Sequence, residues 1–376
     1  MEAYLDNSAT TPLCPEAAEA MQEAAAHFWG NPSSLHSAGL EAERLLARCR
    51  ADVAASLHCG PAELVFTSGG TESNNLALFG AAAAMRRRGR RVVTSAIEHS
   101  SIAESAAELQ NRGFDVVYLG VDGQGRVPEQ ELQRLVTQDT ILVSLMAVNN
   151  EVGTLQPVDA VRRALRQVNA PALVHCDAVQ AYGKLPVNPQ RMGADLITVS
   201  AHKIHGPKGA GALYVRRGVR IHPIMYGGSQ ENKLRPGTEA VPAIAGFAAA
   251  ARAIPDLQQS LQYAAGLRDR LVQGLSTMEG VKLNSPTDAL PYLTNISLPG
   301  LQSETMLNFL SERGVYVSPG SACAKGKKSR VLRAMALSDA DVAGALRISL
   351  SRYTTWEEID AFLFALNEAR ISLARK

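Results

Sequence analysis

Between about residues 60 and 215 the chain alternates short apolar runs with helical stretches, and this pattern leaves few folds open. The runs are LVFTS, RVVTSA, FDVVYLGV, ILVSLMAV, ALVHCD, LITVSA and GALYV. Short β-rich segments, apolar at consecutive positions and separated by helices, predict a mostly parallel sheet covered by helices on both faces. The fold class expected is therefore α/β. The Ala-rich stretch from Pro242 to Met278 reads as a long helix, with Pro255 as a possible break. Beyond it come VKLN, YLTNISL, a helix over Ser303 to Glu312, VYVSP, a helix near Val331, LRISLS and a last helix from Thr355, the pattern of a smaller α+β unit. At 376 residues there is material for two domains. We expect a large one over residues 16–255 and a small one assembled from 1–15 and 256–376.

Composition narrows the partners. Hydrophobic residues make up 46% and charged residues 20%, an ordinary globular balance. A net charge of +2 argues against nucleic acid, and the run Arg86, Arg87, Arg88, Arg90, Arg91 reads as the solvated end of a helix ahead of a strand. Ala240 to Ala251, the longest small-apolar stretch, contains Pro242 and is too short to cross a bilayer. The opening MEAYLDNSATT has no charged segment ahead of an apolar one, so no export is expected and the cytoplasm is the expected location. Five cysteines, an odd number without metal-ligand spacing, fit a reducing compartment and no metal site. Four of them, Cys14, Cys49, Cys59 and Cys176, read as small incidental or buried thiols.

Polar clusters recur at the same end of the predicted strands. Gly69, Gly70 and Thr71 follow LVFTS, His99 follows RVVTSAIE, and Asn149 and Asn150 follow LVSLMAV; Asp177 and Gln180 follow ALVHC, and Ser200, His202 and Lys203 follow LITV. Ligands of open parallel sheets bind beyond the carboxyl ends of the strands, so one shared site is expected. Lys203 sits where a strand over Leu196 to Val199 enters a turn before a second strand, Ala210 to Val215. It is either a solvated charge or an amine able to form a Schiff base with an aldehyde cofactor, of which pyridoxal 5'-phosphate (PLP) is the obvious one. The turn Ser68 to Asn75 is either a capped helix start or a phosphate cradle. Asp177 is either a turn cap or the carboxylate that keeps a pyridine nitrogen protonated. Gln180 is placed to donate to the ring hydroxyl, and His99 is a stacking residue or an ordinary loop histidine. Ser200 and His202 flank the lysine and suit the rest of a phosphate cup.

Across YLDNSATT, GNPSSLHSAG, FTSGGTESNN, IEHSS, VNNEVGTLQP, HCDAVQAYGK, SAHKIHGPKGAGALYV, LRPGTE, SPGSAC and RISLSRYTT the chain resembles the NifS/IscS-type cysteine desulfurases over nearly its whole length. The resemblance implies a PLP enzyme of fold type I, the aspartate aminotransferase-like architecture. It implies that Lys203 carries the cofactor, with Asp177 on the pyridinium, Gln180 on the ring hydroxyl and His99 stacked and moving protons. Gly70, Thr71, Ser200 and His202 then hold the phosphate, together with Thr238 reaching in from the second subunit of a homodimer. Asn150 lies near cofactor and substrate, and Arg347 clamps the substrate carboxylate. Cys323, in SPGSACAKGKKSR, is the implied nucleophile, and Lys325, Lys327, Lys328 and Arg330 make its surroundings electropositive, which favours thiolate. The segment AKGKKSR is shorter than in the long-loop members, which bears on how far Cys323 reaches.

The implied reaction is removal of sulfur from L-cysteine, giving L-alanine and a persulfide on Cys323 for an acceptor, an iron–sulfur scaffold or a tRNA-thiolating enzyme. A selenocysteine lyase or cysteine sulfinate desulfinase would use the same residues. A small-molecule aminotransferase would not need Cys323, and a sulfur carrier without catalysis would not need Lys203, Asp177 and Arg347.

Overall fold

The computed structural model describes residues 2–319 and 329–373. Its main sheet has seven strands, in the order Leu64–Thr67, Gly211–Val215, Leu196–Ser200, Leu173–Asp177, Thr140–Met146, Arg91–Ser95 and Asp115–Leu119. Six run in one direction and Gly211–Val215 alone runs against them. The mostly parallel α/β sheet expected from the apolar runs is present. All seven residues of Thr140–Met146 are buried, as a strand covered on both faces requires.

Neighbouring residues on a strand feed opposite sides of the sheet. Val92, Val65 and Leu213 pack with Leu76, Ala77, Ile102 and Ala106 of the helices Gly70–Met85 and Ser100–Asn111. Val93, Phe66 and Tyr214 belong to the other core, with Val53, Val161 and Phe247 of the helices Ser37–Ser56, Val158–Gln167 and Val241–Arg252. The Ala-rich stretch is two helices rather than one. Val241–Arg252 ends before Pro255, and Leu257–Ser276 restarts with the Asp256 carboxylate accepting from the Gln259 N–H at 2.9 Å. Proline lacks the amide that a continuous helix would use, so the chain turns there.

A second sheet, entirely antiparallel, is ordered Ser318–Pro319, Ala345–Ser349, Leu293–Ser297, Lys282–Leu283. The first residues of the chain strap the two sheets together. Asn7 donates to the Ser349 carbonyl at 3.0 Å and the Ser8 N–H to Ser349 Oγ at 2.8 Å, while the Thr11 N–H and hydroxyl both donate to the His202 carbonyl at 3.0 Å. The turn carrying Lys203 is thus fastened to the end of the strand Ala345–Ser349 by the segment from Asn7 to Thr11. Among the described residues no helix is long and apolar enough to cross a membrane.

Candidate active site

A cavity of about 300 Å³ opens at the carboxyl ends of the parallel strands, at the small end of the range of about 300–1,000 Å³ usual for small-molecule sites. Its wall is built from five strand ends. Gly70 and Thr71 come from the first, His99 from the next, then Asn150, then Asp177 and Gln180, then Ser200, His202 and Lys203. The second sheet adds Arg347, and the N-terminal strap adds Ser8 and Ala9. Thr238 is exposed and not on this wall. Cys323 lies outside the described residues, as do Lys325, Lys327 and Lys328.

The floor under Gly70 is the start of a 16-residue helix that has no side-chain cap. Its entry residue, Gly69, has φ +149°, and a Cβ on Gly211 in the adjoining strand would lie 2.6 Å from the Gly69 Cα. Two glycines therefore let the turn lie flat on the strand. The first intrahelical bond is from the Ser73 N–H to the Gly69 carbonyl, which leaves earlier amides free for an anion. Ser200 Oγ, buried on the wall, has no protein hydrogen-bond partner. A shallower depression shares Gly70, Thr71, Ser200 and His202 with the cavity and adds the cation of Lys208.

Asp177 ends its strand with both oxygens engaged: Oδ1 accepts from the Val179 N–H at 3.0 Å and Oδ2 from the Asn74 amide at 2.8 Å. The amine of Lys203 donates to the Ala9 carbonyl at 2.7 Å and to the Ser8 carbonyl. Gln180 donates through Nε2 to that same Ser8 carbonyl at 3.0 Å, so its buried Oε1 is the atom without a partner. His202 shares a 3.2 Å hydrogen bond between Nδ1 and Thr10 Oγ1, and burial followed by the charge of Lys203 pushes its pKa down to about 4. Arg347 is 1% exposed; one Nη donates to the Asn150 carbonyl at 3.0 Å, the other to Asp6 at 2.8 Å, and the buried Nε has no partner.

Four features had no role in the sequence reading. Ser8 and Ala9 hold the lysine through backbone carbonyls, which no side-chain pattern can announce. Asp6 orients Arg347, Asn74 braces Asp177, and Glu98 is a buried acid behind His99. Burial pushes the Glu98 carboxyl up to about 8, in spite of donors from Ser95 at 2.6 Å and the Met146 N–H at 3.0 Å. A carboxyl whose folded pKa is raised favours the native state fully below its unfolded value, near 4.5, and loses that contribution as pH climbs to about 8. Glu98→Gln, which stays neutral, is therefore expected to flatten the fall in thermal midpoint between pH 5 and 8. Melts across that window check it; a slope equal to wild type would assign the titration elsewhere.

The cysteines and arginines given no site role do not line the cavity. Cys14, Cys49 and Cys176 are buried and Cys59 is half-buried, and burial raises all four thiols above their ordinary pKa. Arg86, Arg87 and Arg88 are exposed just past a helix end, and Arg91 pairs with Asp115 at 2.7 Å. Among the described residues no group of three or more His, Cys, Asp or Glu could hold a metal.

The family model for "Aminotransferase class-V" matches residues 3–362. The chain belongs to this family. Cysteine desulfurase IscS of Methanosarcina thermophila is 40% identical over 369 residues, spanning 97% of this chain and 91% of that protein. A solved NifS-like protein is 41% identical and superposes with a TM-score of 0.94 over 99% of this chain and all of its own. The structure described as SspA in complex with cysteine is 32% identical, with a TM-score of 0.83 over 94% of this chain and 100% of that one. The architecture is the type I fold of PLP-dependent enzymes, and the chain is an enzyme of that class.

Proposed function

We propose that the chain is a PLP-dependent L-cysteine desulfurase. It breaks the Cβ–S bond of L-cysteine, passes the sulfur to the Cys323 thiol as a persulfide and releases L-alanine. The observation that carries this reading is the meeting of Lys203, Asp177, His99 and Arg347 around one cavity. Relatives named cysteine desulfurase, at 40% identity and near-complete coverage, support the same activity.

The residues fit the cofactor. The uncapped start of the Gly70–Met85 helix, with Thr71, His202 and the unpartnered Ser200 hydroxyl, suits a phosphate. Asp177, already oriented by Asn74 and Val179, would hold a protonated pyridine nitrogen. Gln180 and Asn150 would face the ring substituents, and His99 its face. When bound, the cofactor supplies an electron-poor ring that accepts the electron pair left on the substrate α-carbon.

The chain's own groups do the rest. Lys203, once off the Ser8 and Ala9 carbonyls, is the base that takes the α-proton and the acid that returns it. His99, on the cavity wall, moves protons at the substrate. Arg347 is fixed before substrate arrives, since Asp6 and the Asn150 carbonyl each hold one of its Nη atoms. A prepositioned fork binds a planar carboxylate with little ordering cost. The Cys323 thiolate attacks the substrate sulfur, and the carbon left behind gains a proton to become the methyl of alanine.

A homodimer completes the phosphate site. Thr238, exposed and not on the wall of its own cavity, would donate across a twofold axis into the second subunit. The persulfide sulfur goes to an iron–sulfur scaffold or a tRNA-thiolating enzyme in the cytoplasm; relatives named IscS favour the first. Purified holoprotein given L-cysteine is expected to form alanine and one persulfide per chain, and with added thiol as much sulfide as alanine. Sulfide without alanine would overturn the reaction, faster use of selenocysteine or cysteine sulfinate the substrate, and an active monomer in sedimentation the role of Thr238.

A further inference from the structure

Asn74 lines the cavity and braces Asp177, and the proposed reaction gives it no step of its own. Asn74, in the second turn of the Gly70–Met85 helix, is 1% exposed. An asparagine there is a poor helix former unless its amide has partners elsewhere. Its Nδ2 donates to Asp177 Oδ2 at 2.8 Å and to Ser101 Oγ at 2.8 Å, which uses both amide hydrogens. A carboxylate only accepts, so Asp177 itself decides which end of the amide faces it. The other end, Oδ1, is buried without a protein partner.

The chain of donors continues. Ser101 Oγ accepts from Asn74 and lies 2.8 Å from His99 Nδ1, a contact whose direction the histidine tautomer sets. The Ser101 N–H reaches the same nitrogen at 3.2 Å. That amide donor needs a lone pair on Nδ1, so a neutral His99 carries its proton on Nε2 and the Ser101 hydroxyl is the donor to Nδ1.

We infer that Asn74 is a positioning residue: through Ser101 it ties the orientation of the Asp177 carboxylate to the tautomer of His99. On the reading that the cofactor lies between those two groups, one amide sets both the partner of the ring nitrogen and the histidine at the ring face. Donation runs one way, from Asn74 to Ser101 to His99, because Asp177 anchors the start. In Asn74→Asp the new carboxyl shares a proton with Asp177 and has no amide hydrogen left to give Ser101, so the Ser101 hydroxyl loses its fixed donor. In Asn74→Ala the Ser101 hydroxyl loses its donor and is free to accept from Nδ1 instead. Ser101→Ala cuts the second joint and leaves the Asn74–Asp177 bond intact, so it reads the relay even if a change at Asn74 weakens folding.

The test is magic-angle-spinning ¹⁵N spectroscopy of histidine-labelled, full-length holoprotein, with the His99 signals found by their loss in His99→Gln. Wild type is expected to show His99 protonated on Nε2. Asn74→Asp, Asn74→Ala and Ser101→Ala are expected to show a mixture of tautomers, and a fall in kcat of about 10–100-fold, the scale of one lost hydrogen bond to a charged group, with KM within threefold. An unchanged Nε2–H signal in all three variants overturns the inference, as does a wild-type ring protonated on Nδ1. Failure of the desulfurase reading is separate: it would show as wild-type protein that makes no alanine from cysteine, whatever the tautomer.

Discussion

Lys203→Ala is expected to yield a folded protein that no longer turns over cysteine. The amine is the proton-transfer group in the proposed reaction, and a positioned general base is worth about 10²–10⁴-fold by itself. Losing the covalent link to the cofactor adds to that. The fold should survive. The amine's bonds to the Ser8 and Ala9 carbonyls are each worth about 0.5–1.5 kcal/mol, and the strap they brace is also held by Asn7, Ser8 and Thr11. Borohydride reduction should fix PLP covalently to wild type and not to the variant. Full covalent retention in the variant would place the attachment on another amine.

Cys323→Ser separates binding from sulfur transfer. The variant is expected to bind PLP and cysteine as wild type does, and to form no persulfide, with alanine production falling to background. A hydroxyl ionises far less readily than a thiol of pKa about 8.5, so at neutral pH almost no nucleophilic anion exists. Mass spectrometry of the intact chain after exposure to cysteine reads the result directly. An added sulfur atom on the serine variant, or undiminished alanine, would move the nucleophile to another cysteine. Burial makes that a poor prospect for Cys14, Cys49, Cys59 and Cys176, whose thiols are all held above their ordinary pKa.

Much of the site was readable before any coordinates, for a local reason. Each strand announces itself by a short apolar run, and the polar residues that interrupt the pattern just after it lie at the carboxyl end of that strand. When the strands are parallel, those ends are neighbours. Gly70, His99, Asn150, Asp177 and Lys203 are up to 133 positions apart, counted from 70 to 203, and yet line one cavity. Arg347 was legible only through the family motif, since its strand belongs to the other sheet.

What tertiary structure alone decided are the contacts that depend on which segments meet. The reversal of Gly211–Val215 within a parallel sheet leaves no trace in its composition, because an apolar strand reads the same in either direction. The hold on Lys203 comes from two backbone carbonyls nearly 200 positions away, and a carbonyl has no sequence signature. Glu98 looks like a surface acid until the sheet and Met146 close over it. Asn74 looks like a helix-start polar residue until Asp177 and Ser101 arrive from two other strand ends. The sequence by itself determined the elements, their α/β class and the chemical inventory of the site, because propensity and polarity are local. Burial, hydrogen-bond direction and the tautomer of a histidine are properties of neighbours, and only the folded chain supplies those.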